Sequence, residues 1–486
     1  MTRCSSTVRR CCCGLWPTQP TQPTQQRSDR TYRRENHFVS EESPVPRVLP
    51  TRVSNSSRPS RSRPLTTTAA LCVAALVVGF ASVSASVSAA DATPLDAGQP
   101  VQDPGPNRVT PDWSGLDVTG GVGAALSDEV GVPAGEVPLN PGLGLTSAGE
   151  QHRFAYSTND QHGDVVASTA AVFLPKGEAP EGGWPVLAWA HGTVGLGDEC
   201  TPSAQNRSPR DTGYLNHWLD EGYAIVASDY AGLGTPGLMS YLNGSVTAAN
   251  VIDSVAAAGK LDSVGPDLSD RWAVIGQSQG GGAALHVAHE ATARSREVGL
   301  DYRGAVATGA PAYIEELVLA GSPSFPPVAL PAGLNVYSAY ILAGFREAHP
   351  ELDADSVLTE TGRRIADMAE TACYGALEEA LDGVNMASAF SRPLRDVPGL
   401  EPALRNYMAT PTSGYDRPVF LAHGLQDLDV PTPVGLALNS EMWLRQFTGD
   451  ASANTQVDVH WYNADHSGAM LASMADSTPF LESLFR

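Results

Sequence analysis

One serine in this chain stands in a setting that could make it react. Gly276, Gln277, Ser278, Gln279 and Gly280 form G-x-S-x-G between the β-like run "RWAVIGQ" (Arg271 to Gln277) and a helix-like run from Gly281 to Arg296. In that context the pattern describes a sharp strand-to-helix turn that lifts a serine hydroxyl above a sheet edge. The flanking glycines are needed because side chains there would collide with the neighbouring strand and helix. The helix N-terminus beneath favours developing negative charge. A glycine-rich turn can also do no more than open a helix, and it is the flanking pattern that favours a nucleophile.

A serine alone does not react at neutral pH, so a base and its orienting acid should each follow a later strand. "VFLAHGLQDLDVP" offers Asp427 and Asp429 just past a strand, and "VDVHWYNADHSGAM" offers His466 past the last one. The order Ser, Asp, His is that of α/β-hydrolases. His460 falls inside the last strand and reads as a packed or surface residue, while His423 precedes a glycine and reads as part of a turn. His286, His289 and Glu290 spell H-x-x-H-E, not the zinc motif H-E-x-x-H, and are set aside as metal ligands. The transition-state oxyanion needs backbone donors. One is the N–H of Gln279 and the other comes from "AHGTVG", for which Thr193 is chosen. The alternative is that "HGTVG" is only a tight turn.

The elements that must hold these residues alternate along the chain. Strand-like runs occur at Ala167–Pro175, Pro185–His191, Tyr223–Tyr230, Arg271–Gln277, Tyr302–Gly309, Arg417–His423 and Gln456–Tyr462, with helix-like segments between them, including Val246–Leu261, Gly281–Arg296 and Val434–Phe447. This predicts a mostly parallel sheet with helices on both faces. About a hundred residues between Gly309 and Arg417 are too many for one crossover helix. Tyr337, Tyr340, Ile341, Gly344 and Phe345 share a helical face, and Ile365 to Leu381 is helix-like as well. Residues 312–410 therefore read as a helical cap, or lid, inserted into a core of residues 146–311 and 411–486.

The first 145 residues read differently. Residues 1–64 are rich in Arg, Ser, Pro and Gln without periodicity, a disordered extension or a misplaced start of translation. Residues 65–90, with Arg61 and Arg63 before them and small residues at Val87, Ser88 and Ala89, read as a secretory signal peptide cleaved near Ala89 or Ala90. An uncleaved membrane anchor is the competing reading, although the apolar run is short for a span. Residues 91–145, rich in Pro, Gly and Asp, read as a loosely ordered lead-in. Past the leader only Cys200 and Cys373 remain of seven cysteines, and in an exported protein they are expected to form a disulfide tying cap to oxyanion loop. The formal net charge is −22 and becomes more negative once the Arg-rich leader is removed, which argues against nucleic acid and anionic membranes as partners.

The chain resembles the secretory lipases of yeasts and actinobacteria, serine hydrolases of the α/β-hydrolase fold with a helical cap. The matching pieces are "AHGTVGLGDECTPS" (Ala190 to Ser203), "WLDEGYAIVASDYAGLGTPG" (Trp218 to Gly237), "GQSQGG" (Gly276 to Gly281), "HGLQDLDVP" (His423 to Pro431) and "ADHSG" (Ala464 to Gly468). Gln277 departs from the pattern, since related sequences often carry His there. The resemblance implies hydrolysis of carboxylic esters, typically acylglycerols, and favours Asp427 over Asp429 as the acid. The reading is a secreted lipase or carboxylesterase with Ser278 as nucleophile, His466 as base and Asp427 as orienting acid. It needs no metal or organic cofactor, takes a lipid or small ester as substrate, and makes a transient contact with a lipid interface. Two rivals are kept. One is a serine aminopeptidase on the same fold, with Glu315, Glu316, Glu378 or Glu379 holding the substrate's amine; the other is a non-catalytic cell-surface binding protein.

Overall fold

The apolar runs are strands of one sheet. The computed structural model describes residues 126–325 and 330–486. The extension 1–64, the signal peptide 65–90 and most of the lead-in 91–145 lie outside them. The strands are β1 (Pro133–Pro138), β2 (Ala148–Asn159), β3 (Val165–Pro175), β4 (Trp184–Ala190), β5 (Ala224–Ser228), β6 (Leu268–Gln277), β7 (Asp301–Thr308), β8 (Val419–Gly424) and β9 (Val457–Tyr462). They lie in the order β1-β2-β3-β5-β4-β6-β7-β8-β9. Neighbours from β1 to β5 pair antiparallel and those from β5 to β9 parallel.

Alternation along β4 shows how both faces are buried. Leu187 and Trp189 join one apolar cluster, Val186, Ala188 and Ala190 the other. The first cluster is closed by α1 (Pro209–Asp220) through Tyr214 and Trp218. The second is closed by α2 (Gly244–Ala258) and α3 (Gln279–Glu297) through residues such as Val251, Val255, Leu285 and Val287. Among the described residues, five α-helices lie between β7 and β8: α4 (Ile314–Leu319), α5 (Ala332–Ala348), α6 (Glu360–Ala369), α7 (Tyr374–Leu381) and α8 (Leu400–Met408). The core resumes with β8, α9 (Thr432–Arg445), β9 and α10 (His466–Phe485), and α10 packs beside α1 on the first face. Among the described residues, no helix is long and apolar enough to cross a membrane.

The ordered fold starts earlier than the sequence suggested. The described end of the lead-in is not loose, because β1 pairs with β2 from Pro133 to Pro138. Its two prolines and lack of apolar alternation hide it in the sequence, and an edge strand is where proline is tolerated. The stretch Ile365 to Leu381 is not one helix but α6 and α7, broken where Cys373 is extended (φ −75°, ψ 157°). Cys373 is disulfide-bonded to Cys200, with Cα atoms 5.4 Å apart, and forms an isolated β-bridge with Gly195. The Tyr374 N–H donates to the Val194 carbonyl at 2.8 Å. The loop after β4 is thus bonded to the cap both covalently and through backbone.

Candidate active site

Ser278 occupies the single-residue joint between β6 and α3, with φ 58° and ψ −125°. A left-handed, non-glycine residue costs roughly 1–3 kcal/mol and persists only where the surroundings impose it. Here the Ser278 N–H donates to the Thr308 carbonyl at 2.9 Å, and its carbonyl accepts from the Gly282 N–H at 3.1 Å. The close approach needs glycine on both sides. A Cβ at Gly276 would lie 2.0 Å from the Gly280 carbonyl oxygen, and one at Gly280 would lie 1.9 Å from that of Ala190.

All the other candidates stand at the same, carboxyl, end of the parallel strands, where open α/β sheets hold ligands. His466 is the first residue of α10, behind the N-cap Asp465, and its Nδ1 lies 2.7 Å from Asp427 Oδ2. Asp427 Oδ1 accepts from the backbone N–H groups of Asp429 (3.0 Å) and Val430 (2.8 Å), which fixes the carboxylate in a tight loop. Burial pulls the His466 pKa down, but the charge of Asp427 and its hydrogen bond outweigh it, and the net shift is upward. The Asp427 bond assigns a proton to Nδ1 in the neutral ring and leaves Nε2 as the basic atom. Nε2 is buried without a hydrogen-bond partner among the described residues. It shares a chamber with Ser278, and a Ser278–His466 hydrogen bond is not formed in this conformation; such bonds tighten in a substrate complex.

Asp429 lies near the pair but bonds to a different partner. Its Oδ1 accepts from the Tyr337 hydroxyl of α5 at 2.7 Å. The Gln279 backbone opens α3 directly after Ser278, and Thr193 lies in the loop after β4, its hydroxyl 2.7 Å from that of Tyr241. The adjoining His191 donates through Nδ1 to the Gly192 carbonyl at 2.7 Å and stacks on Tyr230; burial depresses its pKa, so it is a neutral prop of this loop. His423 holds the acid loop by a 3.0 Å bond from Nε2 to the Val430 carbonyl, and His460 stacks on Phe420. His286 is buried with its pKa pushed down to about 4, His289 lies edge-on to Tyr415 and Glu290 faces Arg294, so the three do not converge. The ligand atoms of Asp427, Asp429 and His466 lie within 4.8 Å of one another. Their hydrogen bonds to one another and to Tyr337 account for the arrangement without an ion.

Two chambers meet at Ser278. One, of roughly 120 Å³, runs under the cap and is almost wholly apolar, with Leu317, Val318, Leu334, Ile341 and Val434 in its wall. The other, of roughly 420 Å³, is the more polar of the two, its wall mixing apolar surface with Arg207, Arg210, Asp211, Glu378 and His466. Ser278, Tyr337 and Asp429 are the residues common to both walls. Of the acidic cap residues, Glu316 reaches the apolar chamber but lies 2.6 Å from Arg405, which also faces the buried Glu315 at 3.9 Å. Glu378 accepts from Tyr374, and Glu379 is on the exposed side of the same helix. Two site residues had no distinguishing signal in the sequence. Arg210, on α1, donates to Ser467 at 3.0 Å beside His466, and Tyr337 showed only as part of an apolar helix face.

A mostly parallel sheet with helices on both faces, a serine elbow after β6 and a helical insertion over the strand ends define an α/β-hydrolase fold with a cap. Residues 208–393 match the secretory lipase family, the same family whose motifs the sequence resembles. The matched segment holds Ser278 and most of the cap but neither Asp427 nor His466. Lipase A from Candida antarctica is similar in structure, with a TM-score of 0.59 at 19% identity, over 75% of this chain and 84% of that one. The rice cell wall degrading esterase LipA from Xanthomonas oryzae is also similar, with a TM-score of 0.57 at 17% identity, over 73% of this chain and 100% of that one. At these identities the likeness is one of fold. No curated protein shows significant sequence similarity to the chain.

Proposed function

We propose that this chain is an exported serine ester hydrolase, a lipase or carboxylesterase, acting through Ser278, His466 and Asp427. Ser278 Oγ attacks the ester carbonyl and passes its proton to His466 Nε2, while Asp427 holds the ring and stabilises the imidazolium. The N–H groups of Gln279 and Thr193 take the oxyanion. The tetrahedral species collapses as the alcohol leaves with the proton from Nε2, and water activated by His466 then releases the acid from the acyl-enzyme. The observation that carries this reading is the strained Ser278 standing where an apolar and a polar chamber meet, beside a buried His466–Asp427 pair.

The acyl chain occupies the apolar chamber and the alcohol the polar one. Export is supported by the Cys200–Cys373 disulfide, which persists in oxidising compartments. Contact with a lipid interface is supported by exposed Leu428, inside the acid loop, and by exposed Leu436, Trp443 and Phe447 along and just beyond α9. The aminopeptidase is disfavoured at Glu316, which is already matched by Arg405, while Glu378 in the second chamber accepts from the Tyr374 hydroxyl. Purified protein assayed on p-nitrophenyl esters and on aminoacyl p-nitroanilides should cleave the esters alone. Cleavage of the anilides at comparable kcat/KM would replace this reading.

A further inference from the structure

The junction of the two chambers is built from few groups. Among the described residues, besides Ser278, their walls share only Tyr337 and Asp429, which are hydrogen-bonded to each other at 2.7 Å. The pair is firmly seated. A Cβ at Gly333, in the first turn of α5, would lie 2.9 Å from the Tyr374 hydroxyl and 3.3 Å from Asp429 Oδ1, so a larger residue there would displace these side chains. The N-terminal end of α5 thereby faces the Asp429 carboxylate, the orientation a helix dipole favours. The Tyr337 ring lies 5.9 Å from that of Tyr374, and the Asp429 N–H donates to Asp427 Oδ1. Burial first, and the charge of Asp429 second, push the Tyr337 phenol well up, so it stays a donor throughout the working pH range.

Resting on the ester-hydrolase reading, we propose that the Tyr337–Asp429 pair is a specificity-determining partition that separates the acyl side of the site from the alcohol side. It admits straight apolar acyl chains and rejects acids branched next to the carbonyl. The argument is steric. The carbonyl carbon must reach Ser278 Oγ at the junction, with its two substituents leaving into opposite chambers. A chain that is slender at its first carbon passes the partition, whereas a branch there has to occupy the space of the Tyr337 ring. Because the ring is fixed by packing and by its bond to Asp429, it cannot swing aside without losing a charge-assisted hydrogen bond.

The test is the ratio of kcat/KM for p-nitrophenyl hexanoate to that for p-nitrophenyl 2-ethylhexanoate, with thermal midpoints measured alongside. The wild type should favour the linear ester. Tyr337→Ala should narrow the ratio by about tenfold, the scale of a change in pocket shape, and Tyr337→Phe, which keeps the ring and loses the bond, should fall between. Asp429→Asn retains an acceptor for Tyr337 and should keep the wild-type ratio; Asp429→Ala should behave like Tyr337→Phe. If Tyr337→Ala does not fold, the Phe, Asn and Ala series decides. Parallel losses on both esters with the ratio unchanged would make Tyr337 merely structural and overturn the proposal. A wild-type enzyme inactive on both esters would instead overturn the ester-hydrolase reading, which is a distinguishable failure.

Discussion

The two chambers at Ser278 are made of different material by different parts of the chain. The apolar one is formed by α4 and α5 of the cap with the start of α9; the polar one is formed by the loop after β4, the start of α1, the first residues of α10 and the cap segment tied down by Cys373. Under the proposed function this difference would orient an ester before any specific contact is made. Each methylene moved from water into the apolar side contributes about 0.8 kcal/mol. A hydroxyl-bearing alcohol forced into the same side would leave polar groups unpaired at about 1–3 kcal/mol each. Four methylenes on the acid and one hydroxyl on the alcohol thus already prefer one orientation by several kcal/mol.

Removing the atom where the chambers meet should abolish their joint action most completely. Ser278→Ala should lower kcat by about 10⁶-fold on every ester alike, checked by progress curves with a matched thermal midpoint. Asp427→Asn comes next, with an expected loss of about 10⁴-fold. It also moves the pH profile. The base must be neutral to act, so wild-type activity is lost as pH falls through a His466 pKa lying above the ordinary histidine value of about 6.5. Without the Asp427 charge, burial dominates and the acid limb of the residual activity should shift to lower pH. Asp429→Asn should not reproduce the 10⁴-fold loss, since Asp429 bonds to Tyr337 rather than to His466.

Replacing Cys200 and Cys373 by Ser tests the polar side alone. The bond spans 173 positions, which in the chain-entropy model is worth up to roughly 5 kcal/mol, with about 2–5 kcal/mol the usual measured cost of losing a native disulfide. A denaturant midpoint should fall accordingly, and hydrolysis of esters of polar alcohols should fall more than that of simple ethyl esters. Leu334→Trp, which fills the apolar chamber, tests the other side. It should reduce kcat/KM for long acyl chains about 10–100-fold relative to acetate esters, and an unchanged chain-length profile would remove that chamber from the account.

How much of this could be read in the sequence depends on whether the constraint was local. The elbow was legible because its glycines and serine fall within five residues and the clash at Gly276 is with Gly280, although the Cβ excluded at Gly280 would meet Ala190 on another strand. The parallel strands were legible because burial on both faces leaves continuous apolar runs such as Val186 to Ala190. β1 was not, since an edge strand with two prolines carries no such run. The cap could be assigned as helical from one face of α5, yet the same periodicity marks Tyr340, a packed residue, and Tyr337, whose hydroxyl meets Asp429 in a loop 92 positions away. Cys373 broke the expected helix for a similarly non-local reason, its backbone bridge to Gly195.

The central claim is that Ser278 carries the acyl group between the chambers. Enzyme mixed with excess p-nitrophenyl octanoate, quenched in acid within the first turnovers and digested with protease, should show an octanoyl group on the peptide containing Ser278 by mass spectrometry. The group should be absent from Ser278→Ala. Octanoate released at full rate with Ser278 unmodified, or an octanoyl group trapped on another residue, would contradict the account.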